Sequence, residues 1–129
     1  MSLRTTIHVD GLGHKGAPIP TASKVGPLLH SGGIIGVDRA TGQIPQDLSE
    51  QCRNMFDNLS AVVQAAGGST DHIVKMTVWM ADRGARDALN VEWLNMFPDE
   101  TSRPARHVLE NKFPAPIQIQ CEIMAYIPD

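Results

Sequence analysis

The chain has 129 residues, 42% of them hydrophobic, which suits one compact domain over residues 1–129 and excludes a disordered tail. A net charge of −3 leaves no excess of cations for a polyanionic backbone, so nucleic-acid binding is disfavoured, although a local basic patch is not excluded. No run reaches the roughly 18 apolar residues of a spanning helix, no charged-then-apolar leader opens the chain, and Cys52 and Cys121 form no CxxC pair. The expectation is a soluble, cytoplasmic protein with reduced thiols, no membrane partner and no disulfide or zinc framework.

Met1, Ser2 and Leu3 are compatible with an expression leader. Residues 4–9 (RTTIHV) are rich in β-formers and predict a strand, and GLGHKGAPIP after it predicts a loop. From Pro27 to Val37, aliphatic residues alternate with Gly32, Gly33 and Gly36. This predicts strands bent where backbone must approach something closely, a ligand being one candidate. DRATGQIP supplies a turn.

Asp47 to Gly67 predicts an amphipathic helix. Leu48, Cys52, Met55, Phe56, Leu59, Val62, Val63 and Ala66 recur on one face, with Glu50, Arg53, Asn54 and Asp57 on the other. Asp47 or Ser49 can cap its start, and the pair Gly67, Gly68 can close its end. Between Ile73 and Met80, Val74, Met76, Val78 and Met80 alternate with Lys75, Thr77 and Trp79, as in a two-faced strand. A second helix is predicted from about Arg83 to Phe97, stopped by Pro98. Residues 105–110 and 117–127 predict two more strands. The second of these sets Ile117, Ile119, Cys121, Ile123, Ala125 and Ile127 against Gln118, Gln120, Glu122, Met124 and Tyr126.

The order β, loop, β-β, α, β, α, β, β implies an α+β domain, a sheet with both helices on one face. The other face is left without a cover in so short a chain, which points to a closed cyclic oligomer.

The common catalytic signatures are absent. There is no GxSxG, HExxH or GxxxxGK[ST], and the histidines at 8, 14, 30, 72 and 107 lack helical metal-ligand spacing, so no metal is expected. Arg106, directly after Pro104 and Ala105, begins a short strand. Two readings fit it: a bidentate fork for a carboxylate, or a surface arginine paired with a neighbour. Glu122 on the polar face of the last strand is likewise either a reacting carboxylate or a solvated one.

The run LLHSGGIIGVDRATGQIPQDLSEQCRNMFDNLSAVVQAAGGSTDHIVKMTVWMAD, with Asn90, RPARHVLE and IQCEIMAYI, resembles the RidA/YjgF proteins, also called L-PSP endoribonucleases. The similarity runs from about Pro18 to Ile127. It implies a chorismate-mutase-like α+β fold of the Bacillus type, with a mixed sheet, in a homotrimer around a sheet-lined barrel with clefts between subunits. It also implies cofactor-free hydrolysis of small 2-imino acids or their enamine tautomers to 2-oxo acids and ammonia. On this resemblance Arg106 holds the substrate carboxylate, Glu122 places the hydrolytic water, and Ser31, Gly32 and Asn90 line or support the cleft.

Three positions depart from the pattern. Ile19 stands where a tyrosine is common, His107 replaces the small residue after the PAR arginine, and His30 replaces an aromatic or threonine. His107 reads either as an acid or base in the site or as a histidine packed at a subunit interface. Two other functions compete with the deaminase: the endoribonuclease of the family's older name, for which the charge and the 5% aromatic content offer few phosphate contacts or stacking platforms, and a non-enzymatic, stress-protective small-carboxylate binder.

Overall fold

The computed structural model describes residues 3–14 and 16–128. Met1 and Ser2 of the candidate leader lie outside them. The described elements are β1 (Arg4–Ile7), β2 (Ala22–Val25), β3 (Leu28–Ser31), β4 (Ile34–Ile35), α1 (Leu48–Ala65), β5 (Ile73–Met80), α2 (Arg86–Met96), β6 (Ala105–Glu110) and β7 (Ile119–Tyr126). The strands form one mixed sheet in the order β1-β2-β3-β7-β5-β6, with β4 also paired to β7. Only β5 and β6 run parallel, which is what the crossover through α2 requires.

Helix α1 begins where Asp47 Oδ2 accepts the Glu50 N–H at 3.2 Å, so Asp47 is the cap. Its C-cap is Ala66, and Gly67 just beyond it turns the chain away with a left-handed φ of 88°. Its Cys52, Met55, Phe56, Leu59, Val62 and Val63 are buried against the sheet. Each such side chain contributes about 1.5–3 kcal/mol when fully removed from water, so this face holds the helix far more strongly than its caps do.

Two polar residues share that buried face. Asn58 Nδ2 donates to the carbonyls of Ile35 and Val37, both at 2.9 Å. Gln51 Nε2 donates to Pro45 and Pro116 carbonyls at 2.8 and 2.7 Å, while its Oε1 accepts the Gln118 N–H at 2.9 Å. These bonds fix β4 and the start of β7 on the helix.

The glycines of the 27–37 region approach the chain itself. A Cβ on Gly36 would collide with the Gln51 backbone, and one on Gly33 would come within 2.5 Å of Gln120 Nε2. The first lets α1 pack close; the second makes room for a side chain.

β2 at Ala22–Val25 is an additional strand, just beyond the predicted loop. Two expectations need correction. The predicted start of the second helix is a separate one-turn 3-10 segment at Arg83–Ala85, capped by Asp82, before α2 begins at Arg86. Val74 does not join Met76, Val78 and Met80 in the core: the β5–β7 register shifts between Ile73 and Lys75, and the bulge leaves Val74 half exposed while Ile73 takes the buried place. Elsewhere alternation holds. Ile119, Cys121, Ile123 and Ala125 face the helices, and Gln120, Glu122, Met124 and Tyr126 face away from them.

Candidate functional site

The two residues that carry the chemical argument stand on opposite faces of the sheet. Arg106 in β6 pairs with Met76 of β5, whose side chain is buried under the helices. Glu122 in β7 pairs with Thr77, the next residue of β5. Successive strand residues point to opposite faces, so Arg106 lies on the helix side and Glu122 on the open side. Within one chain they do not meet.

Arg106 is held by α2. Its Nη1 donates to Asn90 Oδ1 at 2.8 Å, and its guanidinium carbon stands 4.9 Å from the centroid of the Trp93 ring. Trp93 is itself braced edge-on by Phe97, with ring centroids 4.9 Å apart. Cation, aromatic platform and neutral amide together orient the fork without neutralising it. No carboxylate pairs with Arg106 among the described residues. Partial burial, and secondarily the nearby Arg86 charge, push its pKa below the ordinary arginine value. An incoming anion would relieve that strain on the cation.

Glu122 belongs to a small cavity of about 190 Å³ on the open face, lined also by His30, Lys75, Thr77 and Met124. His107 pairs with Thr77 on the other side, so His107, Thr77 and Glu122 form one row across β6, β5 and β7. Two strand spacings, about 10 Å, separate the backbones of its ends. His107 is exposed and offers its imidazole to solvent or to a neighbouring chain.

The remaining candidates divide by role. Ser31 is buried, and its hydroxyl donates to the Gly32 carbonyl at 2.8 Å while accepting the Ile123 N–H at 2.9 Å. Both its capacities are engaged, so it sets the backbone at Gly32. Gly32 in turn donates its N–H to the Thr21 carbonyl at 2.9 Å. Asn90 orients Arg106. Ile19 is 54% exposed, in the segment between β1 and β2.

Sequence reasoning did not single out Trp93, Thr77, Lys75, His14 or Gln120. Trp93, three residues after Asn90 on a helix, shares a face with it, which is the one signal that could have linked it to Arg106. Among the described residues no group of three or more His, Cys, Asp or Glu side chains is placed to hold a metal, and no helix is long and apolar enough to cross a membrane.

Comparison with known proteins gives a consistent result. The family model described as Endoribonuclease L-PSP matches residues 17–127. A RutC family protein of Pyrococcus horikoshii is 32% identical over 111 residues, 84% of this chain and 86% of that protein. The 2-iminobutanoate/2-iminopropanoate deaminase of Escherichia coli K12 is 32% identical over 103 residues, 78% of this chain and 80% of that protein. Among solved structures, the YjgF gene product of Escherichia coli superposes with a TM-score of 0.85 at 29% identity, covering 95% of this chain and 98% of that one. Escherichia coli TdcF, solved with bound serine, gives 0.85 at 27% identity over the same shares. Sequence and fold agree: the chain belongs to the L-PSP endoribonuclease family, the RidA/YjgF group.

Proposed function

We propose that the protein is a deaminase that hydrolyses small 2-imino acids, or their enamine tautomers, to 2-oxo acids and ammonia. The observation that carries the reading is Arg106: a partly buried guanidinium, oriented by Asn90 and Trp93, with no carboxylate partner among the described residues. A cation built this way suits a planar carboxylate from outside the chain better than a structural ion pair. The relative named 2-iminobutanoate/2-iminopropanoate deaminase supports the substrate class.

The reaction asks little beyond placement. Arg106 fixes the substrate carboxylate, and water adds to the imine carbon as Glu122 takes its proton. That proton passes to nitrogen to give a carbinolamine, Glu122 then carries the carbinolamine's hydroxyl proton to the same nitrogen, the C–N bond breaks, and ammonia leaves a carbonyl behind. No cofactor enters. The backbone at Gly32, fixed by Ser31, receives the substrate's polar edge, Asn90 keeps the arginine aimed, and His107 and Ile19 shape the walls.

Because Arg106 and Glu122 face opposite ways in one chain, the reading requires both from different subunits. β6 is an edge strand, so its arginine can reach toward the open face of a neighbouring sheet. We therefore propose a homotrimer with sites at its interfaces, acting in the cytoplasm. The ribonuclease reading draws on the older family name, with nothing in the charge balance to favour it.

The test is direct. Imino acids generated in situ by an amino-acid oxidase should decay faster with the protein than without it, with matching ammonia release. Unchanged decay across several imino acids would overturn the proposal.

A further inference from the structure

The loop after β1 and the start of β7 enclose a cavity of about 560 Å³ that the carboxylate-and-water chemistry does not use. This is within the size range of small-molecule sites and larger than the smallest 2-imino acids require. Most of its wall is aliphatic, with Leu12, Ile34, Ile44 and Ile117 among the contributors.

Three polar side chains interrupt that wall. His14 Nε2 is buried and has no hydrogen-bond partner among the described residues. Gln120, also at the wall, has no hydrogen bond to its amide among the described residues. Room for that amide exists because residue 33 is glycine: a Cβ there would lie 2.5 Å from Gln120 Nε2. Thr21, by contrast, is occupied, accepting from the Val9 N–H and donating to the Leu12 carbonyl. Buried polar atoms in native folds are nearly always satisfied, so an orphan imidazole nitrogen in an apolar cavity that a free amide also lines calls for a ligand group.

The cavity also adjoins the proposed reaction site. His14 Nε2 lies 3.7 Å from where a Cβ of Gly32 would stand. Gln120 precedes Glu122 by two residues on the same face, a displacement of about 6.8 Å along the strand. That displacement suits a side chain of glutamate length and exceeds one of alanine length.

We propose that this cavity receives the substrate's side chain, and that His14 and Gln120 donate hydrogen bonds to an sp2 oxygen at its far end. The preferred substrates are then 2-imino acids with long side chains ending in a carboxylate or a carboxamide. A neutral imidazole in the Nε2–H tautomer and a primary amide are both donors, and each of the two end groups supplies the acceptor. An alkyl side chain of equal length fills the space and leaves His14 unsatisfied, which is the arrangement that discriminates most strongly. The inference rests on the carboxylate clamp at Arg106.

Calorimetric titration with 2-oxo acids, the product class, separates the two ideas. The probes are 2-oxoglutarate, 2-oxoglutaramate, 2-oxohexanoate and 2-oxobutanoate. The wild-type protein should bind at least one polar-ended acid about tenfold or more tightly than 2-oxohexanoate. Preference for 2-oxoglutarate alone assigns a carboxylate, and similar binding of both polar-ended acids assigns the shared oxygen. His14→Leu should abolish the preference while changing 2-oxobutanoate affinity less than twofold. Gln120→Leu should reduce it independently, and His14→Gln, which keeps a donor, should restore part of it. If 2-oxobutanoate binds in an Arg106-dependent way but polar ends bring no advantage, or His14→Leu keeps the advantage, this inference alone is overturned. If no 2-oxo acid binds, the carboxylate clamp falls with it.

Discussion

Replacing Gln51 by leucine should destabilise the protein well beyond the loss of a surface polar group. The side chain is fully buried and makes three hydrogen bonds of 2.7–2.9 Å, to the Pro45 and Pro116 carbonyls and from the Gln118 N–H. Leucine has a similar volume, so cavity formation is a small part of the effect. Each backbone group stripped of its partner costs about 1–3 kcal/mol when it stays buried. Pro45 and Pro116 are only half buried, so their carbonyls can turn partly to water, and the net loss should be about 2–4 kcal/mol. Against the 5–15 kcal/mol of a typical domain that is a large fraction. Urea unfolding of both proteins at one concentration, followed by circular dichroism, measures it. The midpoint should fall with little change in slope. Gln118 leads into β7, so catalysis should weaken as well. A loss below about 0.5 kcal/mol would show that the three bonds do not hold β7 to α1, and the packing argument would fail.

Glu122→Gln should lower turnover of imino acids at least about tenfold while leaving 2-oxo acid affinity nearly unchanged, because the carboxylate acts on water and not on the substrate's carboxylate. Equal losses in binding and turnover, read from kcat and calorimetry, would contradict that division. The two thiols set a pH dependence. Burial, then the charges of Glu92 and Asp47, pushes Cys52 from 9.0 up to about 12, and burial, then Glu122, raises Cys121 further. Folding therefore keeps both protonated above the pH at which the unfolded thiols ionise. Their contribution is complete below about pH 9 and is lost as the pH climbs toward 12. Stability measured by urea midpoints should decline over that window, and a Cys52→Ala, Cys121→Ala double variant should decline less. Native protein at pH 8 should leave both thiols unreactive toward a disulfide reagent. Multi-angle light scattering should give three times the 14.0 kDa chain mass, and a monomer mass in dilute buffer would refute the shared site.

Legibility followed the range of the forces involved. Helix α1, strand β5 and most of β7 could be read because burial on one side imposes a period of 3.6 or 2 on the sequence itself, while β6 showed only as a short β-compatible run. Strand β2 escaped because ASKV lies between glycine- and proline-rich segments and forms only by pairing with β1 and β3 on either side. Val74 looked like a core residue until the bulge displaced it, and a bulge is set by the partner strand. The individual importance of Arg106 and Glu122 could be argued from residue type and resemblance. Their placement on opposite faces needed the joint register of β5 with β6 and with β7. His14 and Gln120 lie over a hundred positions apart in sequence, and neither departs from the ordinary for a loop histidine or a strand glutamine.

The account stands or falls on Arg106. Lysine at that position keeps the charge, loses the planar fork and cannot reproduce the stacked geometry over Trp93 with Asn90 at its edge. The measurement is kcat/KM for an imino acid generated in situ, comparing wild type with Arg106→Lys after both are shown to have the same oligomeric mass. A charge-assisted bond contributes about 1.5–3 kcal/mol, so kcat/KM should fall by at least about tenfold. An Arg106→Lys protein that hydrolyses imino acids as fast as wild type would return Arg106 to the role of a structural surface arginine.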